Sequence, residues 1–262
     1  MKSGIIGCGF IGSEIARFMD KNKEFRLIGV NDIDKNKADG LIKKLKGRPA
    51  FMELDDIIKK SELIIESASG EAIKNILSNK NLDKADKKLV IMSTGGLVEN
   101  PSLLKKIKKC EVFLPSGAIA GLDSIKTVSG KIKSLSLTTV KPAVSLENAP
   151  YVTKNKIKLK GIKAKKTVFE GNLEAAIKGF PQNINVAATL HLASEFNGIT
   201  VKIVADPHAK FNTHEIEAAG NFGTINITAA NVPSKNPRTS YLAVLSAIHT
   251  IKNIKNNIRI GN

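Results

Sequence analysis

Gly7-Cys8-Gly9-Phe10-Ile11-Gly12 decides how the N-terminal half of this chain is read. The GxGxxG spacing alone is common, and its surroundings make it specific. It follows the strand-like run 3–6 directly and opens a helical stretch over 12–20. Asp32 then ends the next apolar run, about 20 residues past Gly12. Each glycine has its own job: Gly7 turns the chain, Gly9 lets the backbone approach a pyrophosphate, and Gly12 allows a helix to pack closely on a sheet. Phe10 and Ile11 lie in the turn before that helix and are candidate cofactor contacts, and the helix N-terminus offers N–H donors and a partial positive charge to the phosphates. Asp32 is expected to accept hydrogen bonds from the adenosine ribose. Its charge repels a 2′-phosphate and so favours NAD, while Lys35 and Lys37 can offset that repulsion and leave NADP as a second candidate.

Working outward, short strand-like runs alternate with longer helical ones as far as residue 115. Residues 3–6, 25–30, 63–65, 88–92 and 111–113 read as strands, and 12–20, 35–45, 54–60, 71–77 and 101–108 as helices, with Pro101 at a first helical position. That alternation predicts a Rossmann-type α/β domain, a doubly wound parallel sheet over 1–115. Ligands of such sheets collect at the carboxyl ends of the strands. The ends here carry Glu66-Ser67-Ala68-Ser69 and Ser93-Thr94-Gly95-Gly96, which makes Ala68, Ser69, Ser93 and Thr94 candidate cofactor contacts. From 116 onward β-branched segments dominate at 135–140, 165–170, 200–205 and 223–229, with helical stretches at 172–178, 184–195 and 240–254. Residues 116–262 are therefore expected to form an α+β substrate-binding and catalytic domain with a mainly antiparallel sheet. The final helix, about 240–256, is expected to pack back on the first domain.

Composition narrows the class. At 262 residues with 42% hydrophobic and 25% charged residues, the chain can bury a core without staples. Cys8 and Cys110 offer neither a disulfide framework nor a zinc spacing, so no metal is expected and a reducing, cytoplasmic setting is. No secretory leader and no run of about 20 apolar residues is visible, so no membrane partner is expected. The net charge of +17 invites a nucleic-acid reading. The lysines are scattered over polar helix positions and loops, however, with no accompanying nucleic-acid module. A solvated basic surface that favours anionic substrates is the better account.

Four further stretches carry a more specific resemblance. They are Leu114-Pro115-Ser116-Gly117-Ala118-Ile119-Ala120-Gly121-Leu122-Asp123, Phe180-Pro181-Gln182-Asn183-Ile184-Asn185-Val186-Ala187, Ala205-Asp206-Pro207 followed by Asn212-Thr213-His214, and Pro233-Ser234-Lys235-Asn236-Pro237-Arg238-Thr239-Ser240. Their order and spacing resemble the L-aspartate dehydrogenase family through almost the whole chain. The resemblance implies a homodimer that oxidises L-aspartate to iminoaspartate with NAD or NADP. The product then enters NAD biosynthesis through a quinolinate-forming enzyme, or hydrolyses to oxaloacetate and ammonia. It also implies that Ala118 and Asn183 hold the nicotinamide end of the cofactor and that His214 is the catalytic histidine. Gln182 departs from the family's pattern, in which a basic residue is familiar at that position.

Chemistry read from the residues points the same way but less far. Hydride transfer needs the substrate Cα–H held against the nicotinamide, whereas the substrate ammonium must lose a proton to a group titrating near neutrality. His191 and His249 fall in helical runs and read as packing or surface residues. His208 and His214 stay equivalent on chemistry, and only the resemblance selects His214. A dicarboxylate needs cationic or multi-donor partners, for which Lys141, Asn185, Lys235 and Arg238 are the candidates. Lys141, Lys235 and Arg238 are read in loop or boundary positions beside prolines. Asp206 could orient a histidine but fits better as the start of the turn at Pro207. Two other classes share the early motifs. One is another oxidoreductase on this two-domain plan, homoserine dehydrogenase-like or dihydrodipicolinate reductase-like; the other is a dinucleotide sensor without turnover.

Overall fold

A computed structural model describes residues 1–181, 184–234 and 239–258. The chain divides into two units, one made of Met1–Pro115 with Val244–Asn257 and the other built on Ser116–Ala243. The first runs β1 (Lys2–Ile6), α1 (Phe10–Lys21), β2 (Arg26–Asn31), α2 (Lys35–Ile42), β3 (Ala50–Phe51), α3 (Leu54–Lys60), β4 (Leu63–Glu66), α4 (Gly70–Leu77), β5 (Lys88–Ile91), α5 (Gly95–Glu99), α6 (Pro101–Lys106) and β6 (Glu111–Phe113). The second runs α7 (Leu122–Thr127), β7 (Ile132–Pro142), α8 (Pro150–Lys154), β8 (Lys166–Asn172), α9 (Leu173–Gly179), α10 (Asn185–Ser194), β9 (Thr200–Asp206), β10 (Asn212–Gly220), β11 (Gly223–Asn231) and α11 (Tyr241–Asn253). The last part of α11 clusters with the first unit, where Lys252 lies over the Phe18 ring.

In the first unit the strand order is β3-β2-β1-β4-β5-β6, and every pairing is parallel. The order reverses between β1 and β4, and Ile6, the last residue of β1, pairs with both Asn31 and Glu66. Parallel strands covered on both faces read as continuous apolar runs, and here Ile5, Ile64, Ile65 and Val90 are fully buried. The helix α1 adds Ile15, Ala16 and Met19 to this core, each large side chain contributing roughly 1.5–3 kcal/mol. It begins at Phe10, earlier than the stretch read from sequence, so Gly12 lies inside the helix and not at its start.

The second sheet has the order β11-β10-β7-β9-β8 and is mixed: β7 and β9 run parallel, and the other three pairings are antiparallel. Alternation is clean along β7, where Leu135, Leu137, Thr139 and Lys141 face inward. Tyr151, Phe169 and Phe180 form an aromatic cluster with ring centroids 5.2–5.6 Å apart, joining α8, β8 and the end of α9.

Two expectations change. Lys141 is not in a loop: it is the penultimate residue of β7, beside Pro142 at the strand's end, and it is buried. The strand β10 was not anticipated at all, although His214, Ile216 and Ala218 alternate with exposed Glu215 and Glu217 at the period of a half-buried strand.

Candidate functional site

In the first unit the glycine turn has the stereochemistry its sequence requires. Gly7 sits at φ +97°, in the region only glycine enters readily, and a Cβ there would lie 2.6 Å from the Ser67–Ala68 backbone. A Cβ on Gly12 would lie 1.9 Å from the Gly7 carbonyl oxygen, so this glycine lets α1 approach the turn. Gly9 differs: a Cβ there meets nothing within 4 Å. Gly9 is also the residue before α1, and no side chain caps that helix. The turn therefore leaves open space at Gly9 before a helix N-terminus that no side chain caps, with Phe10 and Ile11 in the first turn. These features fit a dinucleotide pyrophosphate.

Asp32 follows β2 directly. Its Oδ2 accepts a hydrogen bond from the Cys8 N–H at 2.7 Å and its Oδ1 accepts one from the Asp34 N–H at 2.9 Å. The carboxylate thus helps hold the glycine turn while each oxygen keeps a second lone pair for a ribose hydroxyl. Lys35 lies over the Phe51 ring at 5.4 Å and Lys37 is 3.8 Å from Asp34, so both lysines have partners within the protein. Burial and the neighbouring Asp32 push the Cys8 thiol up to about 12, which keeps it a protonated packing group.

The strand-end residues divide. Ala68 and Ser69 are exposed, with Ser69 capping α4 by accepting from the Ala72 N–H at 3.4 Å. Ser93 and Thr94 are buried, and the Ser93 hydroxyl donates to Glu66 Oε1 at 2.7 Å. Glu66, unassigned in the sequence reading, is the group that organises both loops.

The second unit carries the candidate acid–base group. His214 on β10 pairs in register with Thr139 on β7, and both side chains are buried. His214 Nδ1 and Thr139 Oγ1 share a hydrogen bond at 3.0 Å. Burial and then the positive charge of Lys141 push the His214 pKa down to about 3, so the imidazole is neutral at physiological pH. Burial likewise pulls Lys141 down to about 8. A threonine hydroxyl can donate or accept, so it satisfies Nδ1 in either tautomer and leaves Nε2 as the second functional nitrogen.

The remaining histidines are elsewhere. His208 is exposed, with Nε2 3.2 Å from the Lys163 carbonyl; His249 is exposed beside Asn253; His191 Nδ1 reaches the Phe196 carbonyl at 3.2 Å. Asp206 Oδ1 accepts from the His208 backbone N–H at 2.8 Å, which makes it a turn residue. Burial therefore separates His214 from His208, which chemistry read from the sequence left equivalent.

Ala118 is buried, and its carbonyl accepts from the Asn231 side-chain amide at 2.9 Å. The same amide reaches the Asn212 carbonyl at 3.3 Å, which ties the Ala118 loop to the start of the strand bearing His214. Asn185 is exposed at the first position of α10. Asn183, Lys235 and Arg238 lie outside the described residues. Among the described residues no cluster of three or more His, Cys, Asp or Glu could hold a metal, and no helix is long and apolar enough to cross a membrane.

Comparison with known proteins agrees with both halves. A family model described as aspartate dehydrogenase, C-terminal, matches residues 123–254, and one described as homoserine dehydrogenase, NAD binding domain, matches residues 7–111. Curated L-aspartate dehydrogenases from Methanosarcina mazei and Methanosarcina acetivorans are each 40% identical over 271 residues, covering 100% of this chain and 99% of the relative. The crystal structure of aspartate dehydrogenase from Thermotoga maritima matches with a TM-score of 0.74 and 28% identity, covering 100% of this chain and 99% of that one. A shared nucleotide-binding fold would explain the first half alone. Identity running end to end, with the second half matched by its own model, means that the chain belongs to the L-aspartate dehydrogenase family.

Proposed function

We propose that this chain oxidises L-aspartate to iminoaspartate with NAD, or with NADP, as hydride acceptor. Membership of the family over the full length carries this reading, and the buried contact between His214 and Thr139 supports the acid–base role. Residues 1–115 act as the dinucleotide-binding domain and residues 116–262 as the substrate-binding, catalytic and dimerisation domain of a cytoplasmic homodimer. The homoserine dehydrogenase match stops at residue 111 and speaks only to cofactor binding.

Bound NAD(P) supplies the acceptor for the hydride leaving the substrate Cα. The chain's residues do the rest. Gly7, Gly9, Phe10, Ile11 and Gly12 hold the pyrophosphate, Asp32 the adenosine ribose, and Ala118 and Asn183 the nicotinamide end. Ala68, Ser69, Ser93 and Thr94 wall the cofactor crevice. Lys141 attracts a substrate carboxylate, with Asn185, Lys235 and Arg238 completing the set. Neutral His214 takes a proton from the substrate ammonium at Nε2, freeing the nitrogen lone pair to form the C=N bond as hydride departs. Burial is the larger influence holding the His214 pKa down; pairing Lys141 with a carboxylate offsets the smaller one, so binding substrate moves the imidazole toward a stronger base. Iminoaspartate then passes to a quinolinate-forming enzyme or takes up water to give oxaloacetate and ammonia.

The test is spectrophotometric. Purified protein with NAD and L-aspartate should generate NADH absorbance, with L-glutamate, L-homoserine and L-malate as comparators. Turnover of a comparator with none of L-aspartate overturns the substrate. His214→Ala should lower kcat by about tenfold or more with cofactor affinity little changed, and His208→Ala should be milder. Asp32→Ala should weaken NAD more than NADP.

A further inference from the structure

Asn212 opens β10 and is 0% exposed, against 2% for His214 and 4% for Lys141. Alternate residues of a strand share a face, so Asn212 and His214 both lie on the inner side of the second sheet. On β7, Thr139 stands opposite His214 and Val140 opposite Thr213, and one further step of that antiparallel ladder brings Lys141 beside Asn212. The candidate base, the enclosed cation and this amide therefore form one buried strip within a single unit.

The protein uses only part of the amide. Its Nδ2 lies 3.5 Å from the buried Ser240 hydroxyl, at the limit of a hydrogen bond. Its Oδ1 is buried and has no hydrogen-bond partner among the described residues. Buried polar atoms are nearly always paired, because an unmade bond leaves the loss of hydration uncompensated. Neighbouring polar groups are engaged elsewhere. The Thr139 hydroxyl meets His214 Nδ1, and the Asn231 amide, opposite on β11, donates to the carbonyls of Ala118, Asn212 and Ala229.

The substrate carries its donors in one place. Both carboxylates of L-aspartate accept, and every N–H belongs to the amino nitrogen. We propose that Asn212 is a specificity-determining residue whose side-chain oxygen accepts a hydrogen bond from that amino group. This deepens the aspartate reading above and rests on it. Same-face neighbours stand about 6.5 Å apart along a strand. That is close to the ~6 Å spanned by two acceptors bonded to one nitrogen. Once His214 has taken its proton, the amine keeps two N–H groups and a lone pair. An N–H held by Asn212 restrains rotation about the Cα–N bond and keeps the lone pair aimed as the C=N bond forms. The hydroxyl of L-malate has a single hydrogen for Asn212 and His214 together, so one buried acceptor stays unsatisfied.

The experiment compares, on the full chain with saturating NAD, the KM of L-aspartate with the inhibition constant of succinate. Succinate has both carboxylates and no amino group. Asn212→Leu and Asn212→Ala remove the acceptor, and Asn212→Asp keeps acceptor oxygens in its place. In whichever of the first two melts cooperatively, the KM of L-aspartate should rise by about tenfold or more while the succinate constant stays within about twofold. Asn212→Asp should keep the preference for L-aspartate over succinate. An equal weakening of both ligands, as a purely structural amide or one facing a carboxylate would give, overturns the proposal. So does an unchanged pair of constants, the result expected if a buried water serves Oδ1. Absence of L-aspartate turnover in the wild type overturns the substrate reading instead.

Discussion

His214 Nδ1 lies 3.0 Å from Thr139 Oγ1, between residues directly opposite each other on neighbouring antiparallel strands. The contact joins positions 75 residues apart and ties one edge of a buried imidazole to the neighbouring strand. A hydrogen bond of this kind contributes about 0.5–1.5 kcal/mol net, but its geometric role is larger: it holds one ring nitrogen so that the other points one way.

Removing that hydroxyl while keeping the side-chain shape tests the role. Thr139→Val should lower kcat by roughly tenfold, leave the NAD dissociation constant within about twofold, and be rescued in large part by Thr139→Ser. A variant with wild-type kcat would mean that the ring is oriented by something else.

The depressed His214 pKa also makes a statement about stability. The folded state keeps the imidazole neutral down to about pH 3, whereas the unfolded chain takes up a proton below about 6.5. The unfolded state therefore binds more protons across that window, and folding stability falls as pH drops from 6.5 toward 3, by about 1.4 kcal/mol per unit. Urea unfolding at pH 7 and pH 5 should show a loss that is smaller by about 2 kcal/mol in His214→Gln, which has no such proton to gain.

Lys141 should act on both substrate and histidine. In Lys141→Met the KM for L-aspartate should rise by about tenfold or more as a carboxylate loses its cation. The His214 pKa, followed by NMR of its ring protons, should move upward because the charge opposing its protonation is gone. It should stay below the ordinary histidine value because burial, the larger cause, remains.

Gly9 and Gly12 should fail in different ways. Gly9→Ala places a methyl in open space, so the melting temperature should hold while the NAD dissociation constant rises by roughly tenfold. Gly12→Ala drives a methyl into the Gly7 carbonyl, so it should lose stability by at least ~1–3 kcal/mol before any binding effect is read. Equal affinity in Gly9→Ala and wild type would remove Gly9 from the cofactor site.

The glycine turn, Asp32 and the alternating helices and strands were legible because their signals are local. A turn that needs positive φ, a helix start and an apolar run each declare themselves within a few residues. The unseen strand β10 had a local signal too, the alternation of His214, Ile216 and Ala218 with Glu215 and Glu217. That signal is masked because the polar His214 stands in the buried series and the Asp206-Pro207 turn before it suggests a loop.

By itself the sequence determined the dinucleotide-binding half, the two-part plan and the family, since these rest on residue types at fixed spacings. Which histidine is buried, that Thr139 is its partner, that Lys141 is enclosed in a strand, and that Glu66 organises both strand-end loops were decided by tertiary structure alone. The physical reason is that burial and cross-strand register belong to the assembled sheet. Lys141 and His214 acquire their lowered pKa values, and His214 its contact with Thr139, only when β7 and β10 pair and bury them.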